Sequence, residues 1–210
     1  MRRLIVTGAA VLLAAAVAAC SSSASSSGSS GSTASSAKGP SGTLVISDSQ
    51  GTQWNCSFNP FNPGNLATGV TFGQVYEPLV FVNTLQNAKT TPWLATAWAW
   101  SNNNKTLTFT IRDGVKWNDG TPMTAADVAF TFNLMKKDSA LDVNSVWSVL
   151  QTVTQSGANQ VVMTFKAPSV PYFYYIGDQT PIVPQHIWST IANPVTYADA
   201  NPVATGAFMV

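Results

Sequence analysis

Charge is scarce in this 210-residue chain: 9% of the residues are Asp, Glu, Lys or Arg, and ten basic against nine acidic residues leave a formal net charge of +1. A polyanion partner such as nucleic acid needs a basic face to neutralise phosphates, so the balance speaks against that class. Cysteine and histidine are scarcer still, with Cys20, Cys56 and His186 as the whole supply. They cannot assemble the ligand cluster of a typical zinc or copper site, so no metal and no cofactor is expected. Any Ser/His/Asp or Cys/His arrangement must use His186, which stands in Pro184-Gln185-His186-Ile187-Trp188 beside proline and tryptophan, a structural rather than catalytic setting. Acidic residues are scattered and no two are paired in sequence as glycoside hydrolysis requires. The glycines at Gly28 and Gly31 lack the strand, spacing and lysine of a phosphate loop. Long apolar runs are also missing: residues 4–19 cover 16 positions, short of the about 20 that cross a hydrocarbon core.

That run is nevertheless the most telling segment. Arg2 and Arg3 precede it, small residues close it, and Cys20 follows, the order of an export signal. Val17-Ala18-Ala19-Cys20 resembles the lipobox of bacterial lipoproteins. The resemblance implies that residues 1–19 are a signal peptide, that the Cys20 thiol is acylated, and that Cys20 becomes the mature N-terminus. The alternatives are an ordinary secretory signal with an incidental cysteine, or a single spanning helix, which the length disfavours. Residues 20–42 then carry the lipidated Cys20 and a Ser/Gly tract with a single Lys38. Such a tract buries nothing and spans about 25 Å as a flexible tether.

From residue 43 the composition changes. The chain as a whole is 45% hydrophobic with seven Trp, ten Phe and five Tyr, which sets global disorder aside. Cys56 has no internal partner once Cys20 is lipidated and reads as a buried small hydrophobe. Thr43-Leu44-Val45-Ile46-Ser47 reads as a buried strand, and the Asn, Pro and Gly of Asn59-Pro60-Phe61-Asn62-Pro63-Gly64 as turns. Val70, Phe72, Val75, Leu79 and Val80 recur at near-helical spacing and predict a helix over residues 68–80 that ends near Tyr76-Glu77, before Pro78. Residues 94–100 and the alternating Leu107-Thr108-Phe109-Thr110-Ile111-Arg112 predict a hairpin over Ser101-Asn102-Asn103-Asn104. Turns follow at Asp113-Gly114 and Asn118-Asp119-Gly120. Thr124-Ala125-Ala126-Asp127 has the form of a capping box, so a helix should start there, burying Val128, Phe130, Phe132, Leu134 and Met135 with Lys136 and Lys137 at its negative end. Residues 150–154 and 160–165 predict a second hairpin. Phe109, Phe130, Phe132, Trp93, Trp98 and Trp100 read as core, whereas Trp54 and Trp147 sit in loops and are open between packing and ligand contact. The apolar run at residues 202–210 reads as a chain cut inside a strand.

Several of these motifs together resemble the family 5 extracellular solute-binding proteins of ABC importers. They are Asn59-Pro60-Phe61, Tyr76-Glu77-Pro78-Leu79, Pro92-Trp93-Leu94-Ala95, the block over residues 107–128, the 182–188 motif around His186, and residues 201–208. Ala204 and Ala207 depart from the Gly and Pro more usual in that family, which suggests a looser turn. The resemblance implies an α/β, periplasmic-binding-protein-like fold of type II with two lobes. Residues 43–210 would form only the N-terminal part of the first lobe, with a mixed sheet and hairpins. It also implies a receptor rather than an enzyme: a monomer outside the cytoplasm, held to the cell membrane through Cys20, that binds a solute and delivers it to an importer permease.

By family frequency an oligopeptide ranks first as solute and a cello- or manno-type oligosaccharide second; a nickel complex is a further family cargo. A lipid-anchored cell-wall hydrolase is the competing class. The resemblance maps backbone ligand contacts onto Gly64, Asn65 and Leu66, and a further contact near Asn144, with Trp147 close by and Trp54 as a loop aromatic.

Overall fold

The computed structural model describes residues 56–62 and 71–210, all inside one compact unit, Gln50–Val210. The predicted strand at residues 43–47, the signal and tether, and part of the predicted helix over 68–80 lie outside the described residues. Two antiparallel sheets carry the architecture. The smaller pairs β1, Val80–Asn83, with β2, Lys89–Pro92. The larger has β3, Ala95–Ser101; β4, Thr106–Ile111; β5, Leu150–Ser156; and β6, Gln160–Phe165, in the order β3-β4-β6-β5. The mixed sheet expected from the sequence is not found among these strands, because hairpin turns join β3 to β4 and β5 to β6 and force antiparallel pairing.

The central strands alternate as their sequences require. Leu107, Phe109 and Ile111 of β4 and Val161, Met163 and Phe165 of β6 point into the core, in register at Leu107↔Met163 and Phe109↔Val161. The β3–β4 turn places Asn102, Asn103 and Asn104 at positive φ, a region asparagine tolerates better than most residues. The predicted capping box is present at the start of α1, Ala125–Lys137. The Thr124 hydroxyl accepts from Ala126 N–H at 3.2 Å, and Asp127 Oδ2 accepts from Thr124 N–H at 2.8 Å. The helix lies against β5 and β6. Val128, Phe132 and Met135 are buried as expected, while Phe130 and Leu134 are only partly buried. Full burial of side chains of this size stabilises by about 1.5–3 kcal/mol each. Two short helices follow, α2 at Phe173–Gly177 and α3 at Gln185–Trp188. Phe173 stacks on Phe109 with ring centroids 6.0 Å apart and also meets Trp98 at 5.6 Å.

Two expectations are corrected. Over residues 72–80 there is no helix: residues 73–75 form a turn and Val80 opens β1, because Leu79 and Val80 are buried by pairing with β2 rather than by a helical face. Cys56 is exposed, not buried, since it stands in the irregular segment that enters the Asn59 turn. At the other end of the chain the backbone of residues 206–208 runs beside Gln74 and Val75, with Gly206 N–H donating to Val75 O at 2.8 Å and Phe208 N–H to Gln74 O at 3.2 Å. A Cβ on Gly206 would stand 2.1 Å from Gln74 O, so only glycine permits this approach. Ala204 is buried and its carbonyl accepts from Asn118 N–H at 2.9 Å, a fixed rather than loose turn.

Candidate functional site

A cleft of about 160 Å³ opens where the Asn59 turn, the end of α1 with the loop that follows it, and the irregular segment before α3 converge. Pro60, Phe61 and Phe72 form one wall; Met135, Leu141, Val143 and Asn144 a second; Gln179, Thr180 and Pro181 the third. None of these lining side chains is charged. Apolar surface with a few convergent amide and hydroxyl groups is the usual make-up of a small-molecule site.

Each wall is held by local chemistry. The fully buried Asn59 accepts from Phe61 N–H through Oδ1 at 2.9 Å, an Asx turn that projects Pro60 and Phe61. Phe61 then meets Trp188 edge-on at 5.5 Å. In the second wall, Asp142 accepts from Val146 N–H at 2.8 Å and from Trp147 N–H at 2.9 Å, and Ser145 takes φ 53°. That tight loop presents Asn144, whose amide reaches Gln179 O at 3.4 Å. In the third wall the buried Asp178 accepts from Val82 N–H at 2.6 Å and from the Gln179 amide at 2.5 Å, while the Thr180 hydroxyl donates to Tyr175 O at 2.8 Å.

Of the site residues drawn from the sequence, Asn144 lines the cleft. Trp147 does not: its indole N–H donates to Phe132 O at 2.7 Å and Lys136 Nζ stands 4.6 Å from its ring centroid, so both its polar edge and a face are occupied by α1. Gly64, Asn65, Leu66, Trp54 and Cys20 lie outside the described residues. Trp117 and Trp188 are 2% and 1% exposed and belong to the core. Phe72, read only as part of a helical stripe, and Val143, Gln179 and Thr180 were not singled out as site residues by sequence reasoning. Apolar and amide residues carry no chemical mark, and only folding brings residues 60, 144 and 179 together.

No titratable side chain among the described residues lines the cleft. The single histidine, His186, pairs with Asp119 at 2.7 Å on a half-exposed surface. Slight burial would raise the Asp119 carboxyl, but the Thr121 N–H and His186 hold it below its ordinary value. Behind the Asn59 turn, Tyr76 donates to Asp199 at 2.5 Å in the interior. Burial, then the Asp199 charge, pushes the Tyr76 phenol up. Burial likewise raises the Asp199 carboxyl, opposed by hydrogen bonds from Tyr76 and Tyr197. Asp127 spends both oxygens on backbone N–H groups, and Asp178 spends one on Val82 N–H and the other on the Gln179 amide. No helix among the described residues is long and apolar enough to cross a membrane.

A sequence model described as bacterial extracellular solute-binding proteins, family 5, middle region, matches residues 89–210, more than half of the chain. The chain belongs to that family. Within it, the nickel-binding periplasmic protein of Escherichia coli (strain K12) is 40% identical over 83 residues, 39% of this chain and 16% of that protein. The periplasmic murein peptide-binding protein MppA of the same organism is 32% identical over 127 residues, 59% of this chain and 23% of that protein. Among solved structures, a periplasmic oligopeptide-binding protein of an ABC transporter of Thermotoga maritima, solved with mannohexaose bound, is 36% identical with a TM-score of 0.69, covering 76% of this chain and 30% of that one. The family 5 fold is therefore periplasmic-binding-protein-like, and this chain spans about a fifth of the length of the curated relatives it matches.

Proposed function

We propose that this chain is the N-terminal part of a receptor, held outside the membrane by lipidated Cys20, that binds an oligopeptide and delivers it to an ABC importer permease. The family match over residues 89–210 carries the reading. The uncharged cleft around Asn144 supplies one wall of the binding site. Residues 1–19 are the signal peptide, residues 20–42 the lipidated cysteine and tether, and residues 43–210 the first part of lobe I. Gly64, Asn65 and Leu66 add backbone contacts to the solute. A second lobe closes over it, and closure is a population shift driven by differential affinity for the closed state. The permease reads the closed shape. The reaction is capture and release without bond making, in keeping with relatives that are binding proteins. A flexible tether of about 20 residues raises the effective concentration of receptor at the permease.

An oligosaccharide is the second reading. It is favoured by the mannohexaose-bound relative and by the amides of Asn144 and Gln179 in a cleft without charged anchors for peptide termini. Calorimetry on the complete protein with trialanine, mannohexaose and cellobiose separates the two. Saturable heat with trialanine supports the peptide reading, heat with a sugar alone replaces it by the second, and no heat with any of them discards both. Cys20→Ser should release the protein from the membrane fraction; unchanged partitioning would refute the anchor.

A further inference from the structure

Both parts of the first wall of the cleft, the Pro60–Phe61 turn and Phe72, hang from one short segment far away in sequence, residues 194–199. The Asn59 amide donates to Pro194 O and to Tyr197 O, both at 2.8 Å, and Phe58 N–H donates to Ala198 O at 2.8 Å. These bonds fix the turn that projects Pro60 and Phe61. The other wall residue, Phe72, belongs to a turn closed by Gly73 N–H to Tyr76 O at 2.7 Å and by Val75 and Tyr76 N–H groups to Thr71 O, each at 2.9 Å. Tyr76 is fully buried, and its hydroxyl ends on the buried carboxylate of Asp199. The segment is itself stiff. Asn193 Oδ1 accepts from the Val195 and Thr196 N–H groups, Tyr197 meets Trp188 edge-on at 5.4 Å, and Asp199 is held at φ 49°, a conformation a non-glycine residue keeps only when its surroundings enforce it.

We infer that residues 194–199 are a positioning strap: through Asn59 and the Tyr76–Asp199 pair they set the geometry of the wall made by Pro60, Phe61 and Phe72, so that Asn59, Tyr76 and Asp199 govern solute affinity without touching solute. None of the three lines the cleft. The affinity half of this inference rests on the solute-receptor reading; the positioning half does not. Asn59 grips the strap only through its amide donors, which reach two of its carbonyls that a carboxylate in its place would repel. Asp199 acts only as an acceptor, which an amide oxygen can replace.

Hydrogen exchange on the complete protein tests the positioning half without any solute. Asn59→Asp keeps the acceptor for Phe61 but loses both donors, and Tyr76→Phe removes only the hydroxyl. Loss of one or two buried hydrogen bonds should speed local exchange by about tenfold, at Phe58 and Phe61 in the first variant and at Gly73, Val75 and Tyr76 in the second, while β4 and β6 keep their protection. Asp199→Ala should reproduce the Tyr76→Phe pattern, and Asp199→Asn should restore protection to within about twofold of the parent. Unchanged exchange in these turns, or an equal rise across β4 and β6, overturns the inference.

The affinity half is read by titrating trialanine and mannohexaose into the same variants. Asn59→Asp and Tyr76→Phe should weaken whichever binds the parent by about tenfold, with Asp199→Asn near parental affinity. Parental affinity in the first two, despite loosened turns, refutes control of binding. A parent that binds neither solute counts against the receptor reading, and the exchange data still decide the strap.

Discussion

Asp127 joins two elements with one carboxylate, and its replacement by alanine is the sharpest test of how α1 is seated. Oδ2 accepts from Thr124 N–H at 2.8 Å and contacts the Thr124 hydroxyl at 3.2 Å, completing the capping box. Oδ1 accepts from Gln185 N–H at 2.9 Å, at the first residue of α3. Loss of an N-terminal capping interaction costs about 0.5–2 kcal/mol, and a buried donor left without a partner about 1–3 kcal/mol. Asp127 is only 6% exposed, so water cannot step in cheaply, and Asp127→Ala should cost about 2–4 kcal/mol in all. Asp127→Asn keeps one acceptor but turns an amide donor toward the other N–H group, so it should fall between alanine and the parent. Urea unfolding of the complete protein, followed by tryptophan emission, gives the difference from the shift in midpoint at constant slope. A loss under about 0.5 kcal/mol for alanine would refute the double role, since even a lone cap is worth more.

Gly206→Ala should break the pairing of residues 206–208 with Gln74 and Val75, because the new Cβ would meet Gln74 O at 2.1 Å. The expected cost is about 2–4 kcal/mol in the same unfolding assay, and a neutral result would mean that this pairing is absent. Asp199, with its folded-state value raised by burial, contributes stability that is complete below the ordinary carboxylate range and is lost as pH rises through the raised value. Relative to the non-ionising Asp199→Asn, the parent should therefore lose stability as pH rises above the ordinary carboxylate range, and a gain would reverse the sign of the argument. Cys56, free and exposed, should react with a thiol reagent under native conditions as fast as in urea; strong native protection would restore the buried reading.

What could be read from sequence was local. The Asn-rich turn between β3 and β4, the period-two face of Leu107, Phe109 and Ile111, and the Thr124–Asp127 box each depend on residues within a few positions of one another, and each stands in the structure. The helix expected over residues 68–80 is not found over its part from 72 to 80, and the reason is nonlocal. Val75, Leu79 and Val80 fit a helical stripe, but β2, Lys89–Pro92, offers Val80 a partner strand, and its Lys-Thr-Thr-Pro sequence has no apolar alternation to mark it beforehand. The same limit applied to the cleft. Asn144 was reachable through family resemblance, whereas the bond from Asn59 to Tyr197 joins residues 138 apart and has no local signature. Trp147 shows the converse case, a loop aromatic whose indole and ring are both spent on α1.

An antiparallel scaffold carries three short walls that form an uncharged cleft, and on the proposed reading that cleft is the face a solute meets. The most direct test is a crystal structure of the complete protein grown with whichever of trialanine or mannohexaose gives heat. The account predicts solute against Pro60, Phe61 and Asn144, with Trp147 and the Tyr76–Asp199 pair out of contact. Solute bound with no contact to that cleft would contradict it.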